Sequence, residues 1–157
     1  CLTSCPPLWT GFNGKCFRLF HNHLNFDNAE NACRQFGLAS CSGDELATGH
    51  LASIHSAESQ AFLTELVKTS LPDLITGGWA PQVYIGMKVG STNSDQTWTD
   101  GSSVDYDGWV SGEPNNGPNS RGAIAAGDYS RGFWADVYSN NNFKYICQLP
   151  CVHYTLE

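Results

Sequence analysis

WTDGSSVDYDGWVSGEPN, residues 98–115, is the stretch on which the reading of this chain turns. It ends in Glu113-Pro114-Asn115, a carboxylate and a carboxamide on either side of a proline. Both side chains offer hard oxygen ligands, and the Asn also offers N–H donors. An X-Pro bond adopts the cis form at little cost, and a cis bond here would aim both side chains toward one point. Oxygen ligands converging on one point suit Ca²⁺, which takes 6–8 oxygens in a flexible shell. A calcium ion held with open positions can accept two neighbouring hydroxyls of a sugar.

Working outward, 157 residues make one domain, 1–157, large enough for a real core. Charged residues are 15%, low against roughly 25% for soluble domains; Gly, Asn, Ser and Thr fill the gap, which implies much loop and short strand. The formal net charge is −7, and the 8 Lys and Arg never cluster, which argues against a nucleic-acid surface. No apolar run reaches the ~18 residues of a membrane span. No secretory h-region is present either, and the chain, beginning at Cys1, reads as already processed and secreted. Seven cysteines point to an oxidising compartment. Zinc is disfavoured because no CxxC pair occurs and the spacings are long and uneven. The odd count leaves Cys1 for a bridge to a second chain, or as a free thiol.

Asn13-Gly14, bracketed by Cys5 and Cys16, signals an N-terminal hairpin. A first helix is expected over residues 25–36, with Asn25 as N-cap, Phe26, Ala29, Cys33 and Phe36 on one stripe and Gly37 as the stop. Residues 38–50 read as an insertion loop holding Cys41, and residues 51–54 as a short strand. Ser56 caps a second helix whose apolar face is Phe62, Leu63, Leu66 and Val67, and Pro72 ends it. Residues 73–82 form a loop around Gly77-Gly78-Trp79, residues 83–89 a buried strand, and residues 143–149 a final strand. Residues 93–142 are mostly turn residues punctuated by aromatics, a length that is usually functional.

These pieces, in this order, resemble the C-type lectin domain. The resemblance rests on Cys5-Pro-Pro-Leu-Trp9, Phe26-Ala29-Glu30-Cys33, Leu51-Ala-Ser-Ile-His-Ser56, Tyr84-Ile-Gly-Met87 and Trp98-Thr-Asp-Gly-Ser102. It continues through Trp109, Gly112-Glu-Pro-Asn-Asn116, Trp134-Ala-Asp136 and Tyr145-Ile-Cys147. Within the family the chain is similar to small secreted lectins of sea cucumbers, several of which bind galactose. The resemblance implies an α+β double-loop fold with two helices and two small antiparallel sheets. It also implies the disulfides Cys5–Cys16 and Cys33–Cys147. Cys41 and Cys151 remain, and a bond between them is expected to tie the insertion loop to the C-terminal tail. The family's inner bridge of the long loop would need cysteines near Ile124 and Ser139, and neither is Cys, so the loop is expected to lean on packing and on bound metal.

The family's principal calcium site maps onto Glu113, Asn115 and Asp136. A further acidic ligand usually follows the Glu-Pro-Asn; here the region is Asn116-Gly-Pro-Asn-Ser-Arg121, so Asn119 or a main-chain carbonyl is the expected substitute. The Asn that normally precedes the Asp is Ala135. Fewer anionic ligands predict weak calcium affinity, of order 10⁻⁴–10⁻³ M. A second family site, which needs acids after the Tyr84–Met87 strand, meets Lys88-Val89-Gly90 and is expected to be absent.

In the family, Glu-Pro-Asn goes with mannose or glucose, whose 3- and 4-hydroxyls are equatorial. Against that stands Trp79, which matches no family position. Galactose has one continuously apolar ring face on which an indole can lie, and this favours galactose-type sugars; the alternatives for Trp79 are a packed or an interface role. Arg121 and Arg131 fall near the site as ligand contacts or solvated side chains. No HExxH, GxSxG or P-loop pattern occurs, and no nucleophile is paired with a base, which points away from an enzyme. His21-Asn22-His23 reads as solvated rather than metal-binding. A single shallow site implies weak binding strengthened by multivalency, hence a homo-oligomer that agglutinates glycan-bearing cells. The competing reading is a metal-free lectin-like domain that binds protein.

Overall fold

The computed structural model describes residues 5–39 and 46–150. Cys1, Cys41 and Cys151, and with them the expected interchain and Cys41–Cys151 bridges, lie outside the described residues. The elements are β1 (Thr10–Phe12), β2 (Lys15–Leu24), α1 (Phe26–Arg34), β3 (Gly37–Ala39), β4 (Leu46–Thr48), β5 (His50–Leu51), α2 (Ala57–Ser70), β6 (Gln82–Val89), β7 (Gln96–Trp98), β8 (Arg121–Ala125), β9 (Trp134–Val137) and β10 (Phe143–Pro150). A single 3₁₀ turn, Pro72–Leu74, follows α2.

Both helices start where the sequence places them. Asn25 Oδ1 accepts from the Asn28 N–H at 2.9 Å, and Ser56 Oγ from the Ser59 N–H at 3.1 Å, each satisfying one orphan donor of the first turn. Asn13 and Gly14 both take positive φ, 53° and 82°, the backbone of a type I′ hairpin turn; β1 and β2 then pair antiparallel. The disulfides Cys5–Cys16 and Cys33–Cys147 are both formed. The second ties α1 to β10.

The two antiparallel halves of the fold meet in one sheet. Its path is β1-β2-β10-β6-β8-β9, with β5 on β10 and β7 on β6; β3 and β4 form a separate pair. The join is the parallel β10–β6 pairing of Lys144 with Val83 and Tyr145 with Tyr84. Gly86 in β6 marks why the pattern there is strict. A Cβ at that position would lie 2.6 Å from Thr99 Oγ1 and 2.9 Å from the Leu51 carbonyl oxygen, and the backbone bonds Gly86 N–H to Ala52 O and Thr99 N–H to Gly86 O occupy the space instead.

Four expectations change. The first helix ends at Arg34 with Gln35 as its C-cap, and Gly37 opens β3 instead of stopping the helix. The 38–50 loop holds most of β3, all of β4 and the start of β5. The 51–54 strand shortens to His50–Leu51, because the backbone beyond it bonds singly to Ile146 and Gly86 rather than as a ladder. The long 93–142 segment contains β7, β8 and β9. In β8, Gly122, Ala123, Ile124 and Ala125 are all buried between β6 and β9, so burial rather than β-propensity makes that strand. No helix among the described residues is long and apolar enough to cross a membrane.

Candidate functional site

The long loop is built around Trp134, which is fully buried at the start of β9. Its indole meets Trp98, Tyr106 and Trp109 edge-on at centroid separations of 5.4–5.9 Å. Its Nε1–H donates to Gln60 Oε1 at 2.6 Å, which satisfies the one polar atom that burial would orphan. The backbone closes on the same residue: Trp134 N–H donates to Gly108 O at 2.7 Å, and Val110 N–H to Trp134 O at 2.9 Å. Gly108 has no substitute, since a Cβ there would stand 2.4 Å from the Trp134 ring.

From Val110 the chain turns through Ser111 and Gly112 (φ 88°), and Glu113 N–H returns to Val110 O at 2.9 Å. Glu113–Pro114 is cis. Asn115 Nδ2 donates to Glu113 Oε1 at 2.9 Å, and Asn115 N–H to Asp136 Oδ1 at 2.9 Å. Asp136, 2% exposed, is presented by β9 opposite Gly122. Glu113, Asn115 and Asp136 are thus brought to one place, as the sequence proposed.

The chemistry of this donor set fits a cation. Burial, then the hydrogen bond and charge of the neighbouring Asp136, push the Glu113 carboxyl up to about 7. Burial would also raise Asp136, but the neighbouring Glu113 carboxyl, the hydrogen bonds from the Asn115 and Asn116 N–H groups and the nearby Ser120 hydroxyl outweigh it and hold that group low. Two carboxyls held this close repel one another, which a divalent ion would relieve. Glu113, Asn115 and Asp136 would hold such an ion through their oxygens.

Two residues join the site unannounced. Asn116 N–H donates to Asp136 Oδ2 at 2.8 Å and its side-chain amide to the Asp136 carbonyl oxygen, so it orients both acceptor groups of Asp136. Ser120, 1% exposed, faces Asp136 diagonally across the β8–β9 pairing; by strict hydrogen-bond geometry its Oγ has no partner. The doubled Asn after Glu-Pro was the only sequence signal for Asn116, and Ser120 had none.

Other expected residues go elsewhere. Asn119 takes φ 64° and makes backbone bonds, its N–H to Gly90 O at 3.0 Å; its side chain is not hydrogen-bonded to the three. Arg121 turns onto α1, its guanidinium 5.0 Å from the Phe26 ring centroid and Nη1 donating to the carbonyls of Asn119 and Ser120, so it is not brought to the site. Trp79 is half-buried against Tyr129, with centroids 5.1 Å apart. Its carbonyl receives the Gly127 N–H, in the β8–β9 connection rather than beside Gly122 and Asp136.

Comparison with known proteins identifies the fold. The pattern of the Lectin C-type domain family matches residues 22–149. The chain belongs to the C-type lectin family. It is similar to the alpha-N-acetylgalactosamine-specific lectin of Patiria pectinifera, 33% identical over 95% of this chain and 84% of that protein. Similarity to a C-type lectin mannose-binding isoform of Oxyuranus scutellatus is also 33%, over 92% and 82% of the two chains. Among solved structures, the C-type lectin CEL-I from Cucumaria echinata superposes with a TM-score of 0.74 at 29% identity, covering 94% of this chain and 99% of that one. This C-type lectin domain therefore carries its Glu-Pro-Asn on a loop anchored by a buried indole.

Proposed function

We propose that this domain is a non-catalytic, calcium-dependent lectin that binds neighbouring hydroxyls of a sugar. The observation that carries the reading is the convergence of Glu113, Asn115 and Asp136, with Asn115 bonded to both carboxyl groups. Calcium is the implied cofactor, held by Glu113, Asn115, the carboxylate and carbonyl of Asp136, and Asn119 or a main-chain oxygen. The disulfides suit an oxidising, extracellular setting. Multivalency, with Cys1 as an interchain bridge, would raise avidity enough to agglutinate glycan-bearing cells.

The preferred sugar is galactose or N-acetylgalactosamine. Its support is the named specificity of the Patiria lectin. The second reading, a mannose-type sugar, is favoured by Glu113-Pro114-Asn115 itself and by the mannose-binding Oxyuranus relative. Agglutination with and without chelator, competed by galactose and then by mannose, tests both. Agglutination that persists in chelator would sink the calcium reading in favour of a metal-free protein-binding domain. Inhibition by mannose alone would leave the calcium site and remove the galactose preference.

A further inference from the structure

Beside the site lies a groove of about 470 Å³ between the long loop and the β8–β9 connection, within the range of sites that hold small ligands. One wall is Val110 and Ser111; the other is Tyr129, Arg131 and Phe133. The first wall leads into the site described above. Val110 and Ser111 belong to the turn that Glu113 closes, and Phe133 precedes Trp134, two residues before Asp136.

The aromatic wall is displayed rather than packed away. Tyr129 is 62% exposed and Phe133 40%, on a connection that is tightly anchored underneath. Tyr129 N–H bonds Gly78 O at 3.2 Å, Arg131 N–H bonds Gly127 O at 2.8 Å, and Gly132 N–H bonds Ala125 O at 2.8 Å. The Gln60 amide reaches the Gly132 carbonyl from α2, and Ser130 Oγ that of Ala125. Arg131 holds φ 56°, a conformation costly for a side chain of that size. A rigid loop that keeps two aromatic rings and a guanidinium at the surface loses little entropy when a ligand lies on them. Flat apolar rings flanked by hydroxyl, carboxylate and guanidinium groups match the alternating apolar faces and hydroxyl rims of a pyranose.

We propose that this groove is a second saccharide subsite, holding the sugar residue next to the one at Glu113, Asn115 and Asp136, so that the ligand is an oligosaccharide. The inference rests on the calcium-site reading.

The test is calorimetry on the full chain in calcium, pairing methyl β-galactoside with lactose and methyl α-mannoside with α-linked mannobioses. At least one disaccharide is expected to bind about tenfold more tightly than its methyl glycoside. Tyr129→Ala should bring that ratio close to one while leaving the methyl glycoside unchanged. Arg131→Gly, which keeps the positive-φ backbone and removes only the side chain, should lower the ratio in the same way. Equal affinities for mono- and disaccharides in the parent chain, or an unaltered ratio in both variants, would overturn the subsite. Failure of every methyl glycoside to bind in calcium would instead overturn the site on which it rests.

Discussion

Replacing Asp100 by Asn should unlatch the foot of the long loop, at a cost that follows from its contacts. One carboxylate oxygen accepts from Ser53 Oγ at 2.5 Å and Gln148 Nε2 at 2.8 Å. The other accepts from Ser102 Oγ at 2.5 Å and the Ser102 N–H at 2.9 Å. Burial alone would raise the acid, but the hydrogen bonds from Ser102, Ser53 and Gln148 pull it down to about 2. Asn keeps one acceptor for Ser102 and turns an NH₂ group toward the Gln148 amide and the Ser53 hydroxyl. Bonds to a charged group contribute about 1.5–3 kcal/mol each, so losing two costs about 3–6 kcal/mol. With a urea slope of about 2 kcal/mol per M, the midpoint of unfolding should fall by about 1.5–3 M with the disulfides kept oxidised. The pH dependence supplies an internal control. An acid whose folded value is depressed contributes stability above its unfolded value, near 4, and loses it as pH falls through about 2. That contribution is about 2 kcal/mol, so the gap between parent and variant should narrow as pH drops from 4 to 2. A midpoint shift under about 0.5 M at pH 7, or a gap that stays constant into acid, would refute the account.

Glu113→Gln should weaken calcium binding at least tenfold, read by calorimetry, since a neutral amide replaces one of only two acids at the site. Because the Glu113 proton is held up to about 7 and must leave before that oxygen can ligate, the parent chain should release a proton on binding calcium below pH 7. Its affinity should then fall with pH, and calorimetry in buffers of different ionisation enthalpy measures the release. Chelation should raise hydrogen exchange in residues 110–120 while the amides of β6 and β10 stay protected, because no disulfide crosses that loop among the described residues; uniform protection would count against it. Gly86→Ala should destabilise by about 1–3 kcal/mol, seen as a lowered Tm, because the new methyl meets a backbone carbonyl and Thr99 with no room to move either.

Much of this molecule is written locally, and those parts are readable from sequence. Asn25 and Ser56 announce helix starts because capping depends on the three residues that follow. Asn13-Gly14 announces its hairpin because few residue pairs accept two positive φ values. Trp98-Thr-Asp-Gly is readable only as a motif; its physics is the Asp100 clasp and the Gly101 turn (φ 78°), neither of which spacing alone implies. β8 and β9 escape detection because Gly122, Ala123, Ala125 and Ala135 have little strand preference of their own. They extend because β6 and Trp134 leave them no other way to bury.

The site divides along the same line. Glu113 and Asn115 are visible because their positions depend on a three-residue segment and one turn. The rest of the ligand environment is built across the β8–β9 pairing, where Gly122 lies opposite Asp136 and lets Ser120 stand diagonal to its carboxylate. Asn116 reaches the Asp136 carbonyl only because its own N–H already holds the carboxylate. Between residues 116 and 121 the chain carries no acid, and the backbone N–H groups of Asn115 and Asn116 instead fix the Asp136 carboxylate and hold it low. Calcium affinity in this domain should accordingly depend on Asn116 more than on Asn119. Asn116→Ala, which removes the bond to the Asp136 carbonyl, should weaken calcium binding measured by terbium luminescence more than Asn119→Ala does; the reverse order would return the missing ligand to Asn119.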